Sequence, residues 1–231
     1  MPGKPQELIY KLLREKVVLK QEVFERTRTV FVQLKEILQT LFVEMGKEIK
    51  NIDKEILLEF KDKGDFEMEF TLADDTLVFM MHTNVFTFDH DHEIWKSSYV
   101  QEDPNRSFCG KIYIYNFLSD SFKYNRTNDI GLLIARLFVN KDGHFFVEGK
   151  RQLGFLYNDF SSAVLDTENL RKVVESAILY SLDFDPYIPP YEQIVQISVQ
   201  EVMESTIQSK IATGKRLGFK FSSDANPLGM P

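Results

Sequence analysis

Two histidines and three carboxylates fall within the five consecutive residues Asp89-His90-Asp91-His92-Glu93. In an extended segment side chains alternate, so His90 and His92 share one face while Asp89, Asp91 and Glu93 share the other. Two imidazoles at that spacing can chelate one divalent ion, and a catalytic zinc then needs a third protein ligand and an open position. His82, His144, Glu148 and Asp159 are the residues a fold would have to bring in. The chemistry supported would be metal-dependent hydrolysis, with His90 and His92 as ligands and Asp91 or Glu93 as acid, base or supporting group. Against it, polar residues at the end of an apolar strand ordinarily serve as turn and cap residues. Neighbours in sequence also point to opposite faces, which does not flank a substrate.

A second candidate is cationic. Lys150-Arg151 and Lys215-Arg216 each follow a glycine and precede an apolar segment. If the two turns meet, four charges converge on a small carboxylate or phosphate, for which Arg offers a planar fork of donors. The competing reading is turn chemistry, with basic residues guarding strand ends. Arg106 and Arg126 lie among Asp103, Asp120 and Asp129, where simple surface pairing accounts for them. Cys109 opens an apolar strand, which predicts a buried, inert thiol. The 20 Phe and 9 Tyr read first as filling between sheet and helix, and second as the lining of a pocket for an apolar or planar ligand.

The chain that must position these groups has 231 residues, 43% of them apolar, enough for a proper core. Its 28 basic and 35 acidic residues give a net charge of -7, which disfavours nucleic acid and anionic membrane as partners. One cysteine allows no internal disulfide, and the opening MPGKPQELIYKLLREK lacks the apolar core of a signal peptide, so a cytoplasmic location is expected. Runs such as Leu77 to Met81 are too short to cross a bilayer as a helix.

From Tyr10 to Met45 there is neither Gly nor Pro, and Tyr10, Leu13, Val17, Lys20, Phe24, Thr27, Phe31, Leu34, Leu38, Leu41 and Met45 follow a 3,4 spacing. That is a heptad seam, interrupted at Lys20 and Thr27 and widened by a second column, Val23, Val30 and Ile37. A single helix of this extent would be about 50 to 65 Å long; the alternative is an antiparallel pair broken near Leu19 to Gln21. Two apolar faces predict one partner in the chain's own sheet and another in a second copy, hence a homodimer.

After Gly46 the period shortens. Three strands are expected over Glu55 to Phe88, with turns at Asp62-Lys63-Gly64-Asp65 and Ala73-Asp74-Asp75. Past the polar connection Asp89 to Arg106, further strands are expected at Lys111 to Phe117, Ser121 to Tyr124, Asp129 to Val139 and His144 to Glu148, with Leu153 to Tyr157 as another. Asn140-Lys141-Asp142-Gly143 reads as a hairpin turn. A helix over Glu168 to Leu182, capped by Asp166 or Thr167, precedes a second over about Tyr191 to Thr213 and a short strand, Leu217 to Phe221.

The order predicts one α+β domain over 1–231: a helical segment over 1–50, an antiparallel meander of about seven or eight strands over 51–160, and C-terminal helices packed on the sheet with a short strand over 161–231. The functional expectation is a non-catalytic cytoplasmic interaction or ligand-sensing module that self-associates through its N-terminal helix. It needs no cofactor, and its partner is a protein or a small anionic ligand. The alternative is a metal-dependent hydrolase built on Asp89 to Glu93, with a divalent metal.

Overall fold

The computed structural model describes residues 5–154 and 159–185. Helix α1 (Pro5–Leu12) passes through a π turn, Leu13–Val17, into α2 (Val18–Ile52). No glycine or proline interrupts this stretch before Gly46, so the helix does not fold back near Leu19 to Gln21. Its buried residues, Leu19, Val23, Thr27, Val30, Phe31, Leu34, Ile37, Leu38 and Leu41, combine the heptad seam and the second column into one broad stripe.

That stripe lies on an antiparallel meander whose strands follow chain order: β1 (Leu58–Asp62), β2 (Glu67–Leu72), β3 (Asp75–Met81), β4 (Cys109–Leu118), β5 (Leu132–Asn140) and β6 (Phe145–Gly149). Each strand pairs antiparallel with the next, across short turns at β1–β2, β2–β3 and β5–β6 and across longer, partly helical connections at β3–β4 and β4–β5. The α+β expectation holds, but the described residues form six strands rather than seven or eight. Ser121 falls in helix α4 (Ser119–Lys123), where its hydroxyl bonds Asp129 and its carbonyl accepts the Arg126 amide, which commits the segment to a compact turn. Leu153 falls in a 3-10 turn, Arg151–Gly154, that doubles back on β6, with Leu153 packed over Gly149.

Helix α5 (Thr167–Leu182) is capped by Asp166, whose Oδ1 accepts the Asn169 amide at 2.7 Å. It lies beside α2 on the same face of the sheet, and its Arg171 reaches back to Glu44 at 2.6 Å. Between these helices and the sheet sits the main core, including Phe31, Leu34, Phe70, Phe79, Ile112, Leu137 and Val174. Each such side chain contributes about 1.5–3 kcal/mol by burial. Asn116 differs: its amide is fully buried and finds no hydrogen-bond partner among the described residues. The expected helix over Tyr191 to Thr213 and strand over Leu217 to Phe221 lie outside the described residues. No described helix is long and apolar enough to cross a membrane.

A smaller cluster forms on the opposite face of the sheet, from Ile94, Val100, Cys109, Phe138, Phe146 and Phe160, with Phe88, Trp95 and Tyr99 packed against it. The connection from β3 to β4 is the lid of this cluster. It crosses the sheet through a 3-10 turn (Glu93–Lys96), helix α3 (Ser98–Glu102) and a second 3-10 turn (Pro104–Ser107).

Candidate functional site

Residues Asp89 to Glu93 are the rim of that lid. Phe88 anchors it against Phe138 and Phe146, with ring centroids 5.2 and 5.6 Å apart. The chain then turns rather than extends, the His92 amide bonding the Asp89 carbonyl at 3.0 Å, so the alternation that would align His90 with His92 does not apply. His90 stacks on Trp95 at 6.0 Å. His92 stacks on Phe88 at 4.6 Å, and its Nδ1 accepts the Ile94 amide at 3.2 Å. Because Nδ1 is the acceptor, the proton of the neutral ring sits on Nε2, which faces Glu148 Oε1 at 3.8 Å. Glu148 is itself paired with Arg136. Nδ1 of His92 is thus taken by the backbone, while Nε2 faces the Glu148 carboxylate beyond hydrogen-bond distance.

The residues proposed as third ligands are also placed by local bonds. His82 Nδ1 accepts the Asn84 amide at 2.9 Å. His144 Nδ1 donates to the Phe160 carbonyl at 3.0 Å. Asp159 accepts the hydroxyls of Ser161 and Ser162 and closes its own turn, which holds its carboxyl below the usual range. Among the described residues, no group of three or more His, Cys, Asp or Glu side chains comes together as a ligand set. His92, Glu148, Asp159 and Phe146 line a shallow cleft of ≈ 400 Å³. Two of its carboxylates are paired with cations at its edges, Glu148 with Arg136 and Glu93 with Lys96, while Asp159 is held by Ser161 and Ser162.

Sequence reasoning missed the group that fastens the lid. Tyr99 lies between the guanidinium of Arg106, 4.2 Å from its ring centroid, and the imidazole of His144, whose ring centroid is 4.3 Å away. Its hydroxyl donates to Asp142 at 2.9 Å and accepts from the Asn140 amide group at 3.0 Å. Burial, more than any neighbouring charge, pushes the Tyr99 hydroxyl up to about 12. Lys141 adds an ion pair to Asp103 at 2.6 Å, so the β5–β6 turn grips α3 and the segment that follows it. The signal available in sequence was the Asn140-Lys141-Asp142-Gly143 turn itself; its distant partners were not readable.

The cationic candidates are divided. Lys150 is exposed, whereas Arg151 adopts a left-handed backbone (φ 48°), pairs with Asp183 just beyond α5 and lies 5.4 Å from the centroid of the Tyr180 ring. Arg151 therefore ties the β6 turn to α5. Lys215 and Arg216 lie outside the described residues. Arg126 pairs with Asp120 and Asp129 at 3.4 and 3.6 Å, but it is buried, contrary to the surface pairing expected. Cys109 is fully buried, and burial pushes its thiol up. Compared with known proteins, the chain matches no family model, no curated protein and no solved structure.

Among the described residues, the helical arm Pro5–Val17 contains no buried residue. Leu8, Ile9, Leu12, Leu13 and Val17 are 44–57% exposed and fall on one side of it. Glu7, Lys11, Arg14 and Glu15 share the other side with Tyr10. The π turn closes each bond over one residue more than an α turn, which rotates the arm by roughly a quarter turn relative to α2. The heptad seam is therefore broken in phase. The apolar side of the arm points along the flank of α2 that carries Phe24 and Lys35, not along the stripe pressed on the sheet. That flank is closed two turns further on, where Phe24 meets Phe66 at 6.4 Å and Lys35 pairs with Asp62 at 2.7 Å.

Proposed function

We propose that this protein is a non-catalytic interaction module of the cytoplasm that associates with a second copy of itself through the Pro5–Val17 arm. The observation that carries this reading is the apolar side of the arm, whose residues Leu8 to Val17 stand 44–57% exposed on a helix already anchored by α2. A contiguous exposed apolar patch of this kind marks an interaction surface. A free helix of this length is marginal in water, but α2 supplies its nucleus, so pairing does not bear the cost of forming the first turn. The arm carries Lys11, Arg14 and Lys16 against Glu7 and Glu15, so its charges of opposite sign largely offset one another. The use of His92 Nδ1 as acceptor for the Ile94 amide within the lid supports the non-catalytic part of the reading.

Light scattering tests it. The expected mass at micromolar concentration is twice 27.0 kDa, falling to 27.0 kDa for the double variant Ile9→Glu, Leu13→Glu with no change in melting temperature. A wild-type chain that stays at 27.0 kDa up to about ten times that concentration would overturn the proposal.

A further inference from the structure

The two edges of the sheet are treated differently. At β6 the Phe145 amide donates to the Ala163 carbonyl at 3.0 Å, His144 bridges to Val164, and Leu153 packs over Gly149. At the other edge β1 pairs with β2 alone, and among the described residues no bridge forms on its outer side. We infer that β1 pairs antiparallel with β1 of a second copy about a two-fold axis at Phe60, joining the two sheets into one.

The backbone sets the register. The Ala73 amide donates to the Leu57 carbonyl at 2.8 Å and the Lys63 amide to the Glu67 carbonyl at 3.1 Å, so Leu57, Glu59, Lys61 and Lys63 bond toward β2. Leu58, Phe60 and Asp62 therefore turn their N–H and C=O groups outward. An axis at Phe60 sets Phe60 opposite its own copy and Leu58 opposite Asp62, so each outward donor meets an outward acceptor. The residues between them then form the closer, non-hydrogen-bonded pairs, Glu59 of each copy opposite Lys61 of the other.

Charge selects the same partner. Leu58 and Phe60 pack on the main core, so Glu59 and Lys61 stand on the face away from α2, where within one copy they pair at 2.6 Å. In the joined sheet Lys61 lies between Glu69 across β2 and Glu59 of the second copy. Asp62, which comes opposite Leu58, is already neutralised by Lys35 at 2.7 Å. A lysine on an edge strand ordinarily repels strand addition. Here it is answered by a strand that carries an acid and, two residues on, a base, which β1 itself supplies. Nor does β1 contain a proline, a glycine or a bulge to block pairing.

This contact is separate from the arm and does not rest on the arm reading. Five residues of strand bury much less than the roughly 1,600 Å² of a standard interface, so it forms above micromolar concentration. Sedimentation equilibrium measures it on the full chain carrying Ile9→Glu and Leu13→Glu, in which the arm is silenced. The mass of this parent should rise from 27.0 kDa toward twice that value as the concentration approaches about 1 mM. Adding Glu59→Lys or Lys61→Glu turns two opposite-charge contacts into two like-charge ones, which should weaken self-association about tenfold. An equimolar mixture of those two variants restores both contacts and should associate nearly as strongly as the parent. A parent that stays at 27.0 kDa up to about 1 mM overturns the inference, whether the edge takes a strand of another protein or none. So does association unmoved by either substitution, or a mixture no tighter than its components. A wild-type chain that is single at micromolar concentration overturns the arm reading and leaves each of these outcomes as it stands.

Discussion

Thr27 of α2 stands directly over Gly110 of β4: a Cβ placed on Gly110 would lie 1.9 Å from Thr27 Oγ1 and 2.7 Å from its Cβ. The long helix crosses the sheet in close contact here, which explains why a threonine interrupts an otherwise apolar seam. Thr27 satisfies its hydroxyl on the Val23 carbonyl at 2.8 Å, so a small side chain is buried without an orphaned donor. Gly110→Ala is expected to destabilise the fold by about 1–3 kcal/mol, as overpacking does. Thr27→Ala removes the nearest clashing atom, so in the double variant the two losses should sum to less than their separate values. Urea denaturation of the four proteins measures this; strict additivity would show that helix and sheet are not in contact here.

The lid offers a pH signature. Tyr99 is pushed up to about 12 chiefly by burial, and its ordinary value is 10.0, so the folded state prefers the neutral phenol. A raised folded-state value stabilises below the unfolded value and is lost as pH rises through the folded one. Stability should therefore fall between pH 10 and about 12 in the wild type more than in Tyr99→Phe. At neutral pH the same variant leaves Asp142 and Asn140 without the hydroxyl and should cost about 1 kcal/mol. Thermal melts across that pH range, compared with Tyr99→Phe, check both parts. Parallel curves for the two proteins would show that the hydroxyl is not held in the lid.

Elements with an unbroken period were readable from the chain alone. The helix from Tyr10 onward, the β2 and β3 pair with its Ala73-Asp74-Asp75 turn, and α5 with its Asp166 cap all follow from spacing and turn chemistry that nothing in the tertiary structure opposes. Ser121 to Tyr124 was misread as a strand because its aromatic residues mimic one, while the deciding bonds run to Asp129 and Arg126 in the next turn. The arm was legible as apolar helix, but its direction was not, because a π turn leaves no mark in a 3,4 pattern and shifts the phase of everything before it. In the candidate site, proximity in sequence misled: His90 and His92 are two residues apart yet stack on different rings, whereas Tyr99 and Asp142, forty-three apart, share a hydrogen bond. Long-range polar pairing has no periodic signature, so the lid clasp could only emerge from the fold.

The two histidines of the rim should separate in their effect on stability. His92→Ala removes the acceptor for the Ile94 amide and the face packed on Phe88, at a cost of about 1 kcal/mol, the usual value for a lost cap. For a chain of this size that lowers the melting temperature by roughly 2–4 °C. His90 is exposed and stacks on the Trp95 ring, so His90→Ala should stay within about 0.5 kcal/mol of wild type. A shared metal ion predicts something different: chelation would lower the melting temperature of the wild type, and both variants would lose that response equally. A wild-type melt unmoved by excess EDTA, with His92→Ala below it and His90→Ala beside it, identifies His92 as a cap of the lid. A chelator-sensitive melt abolished by either substitution would return the pair to metal chemistry.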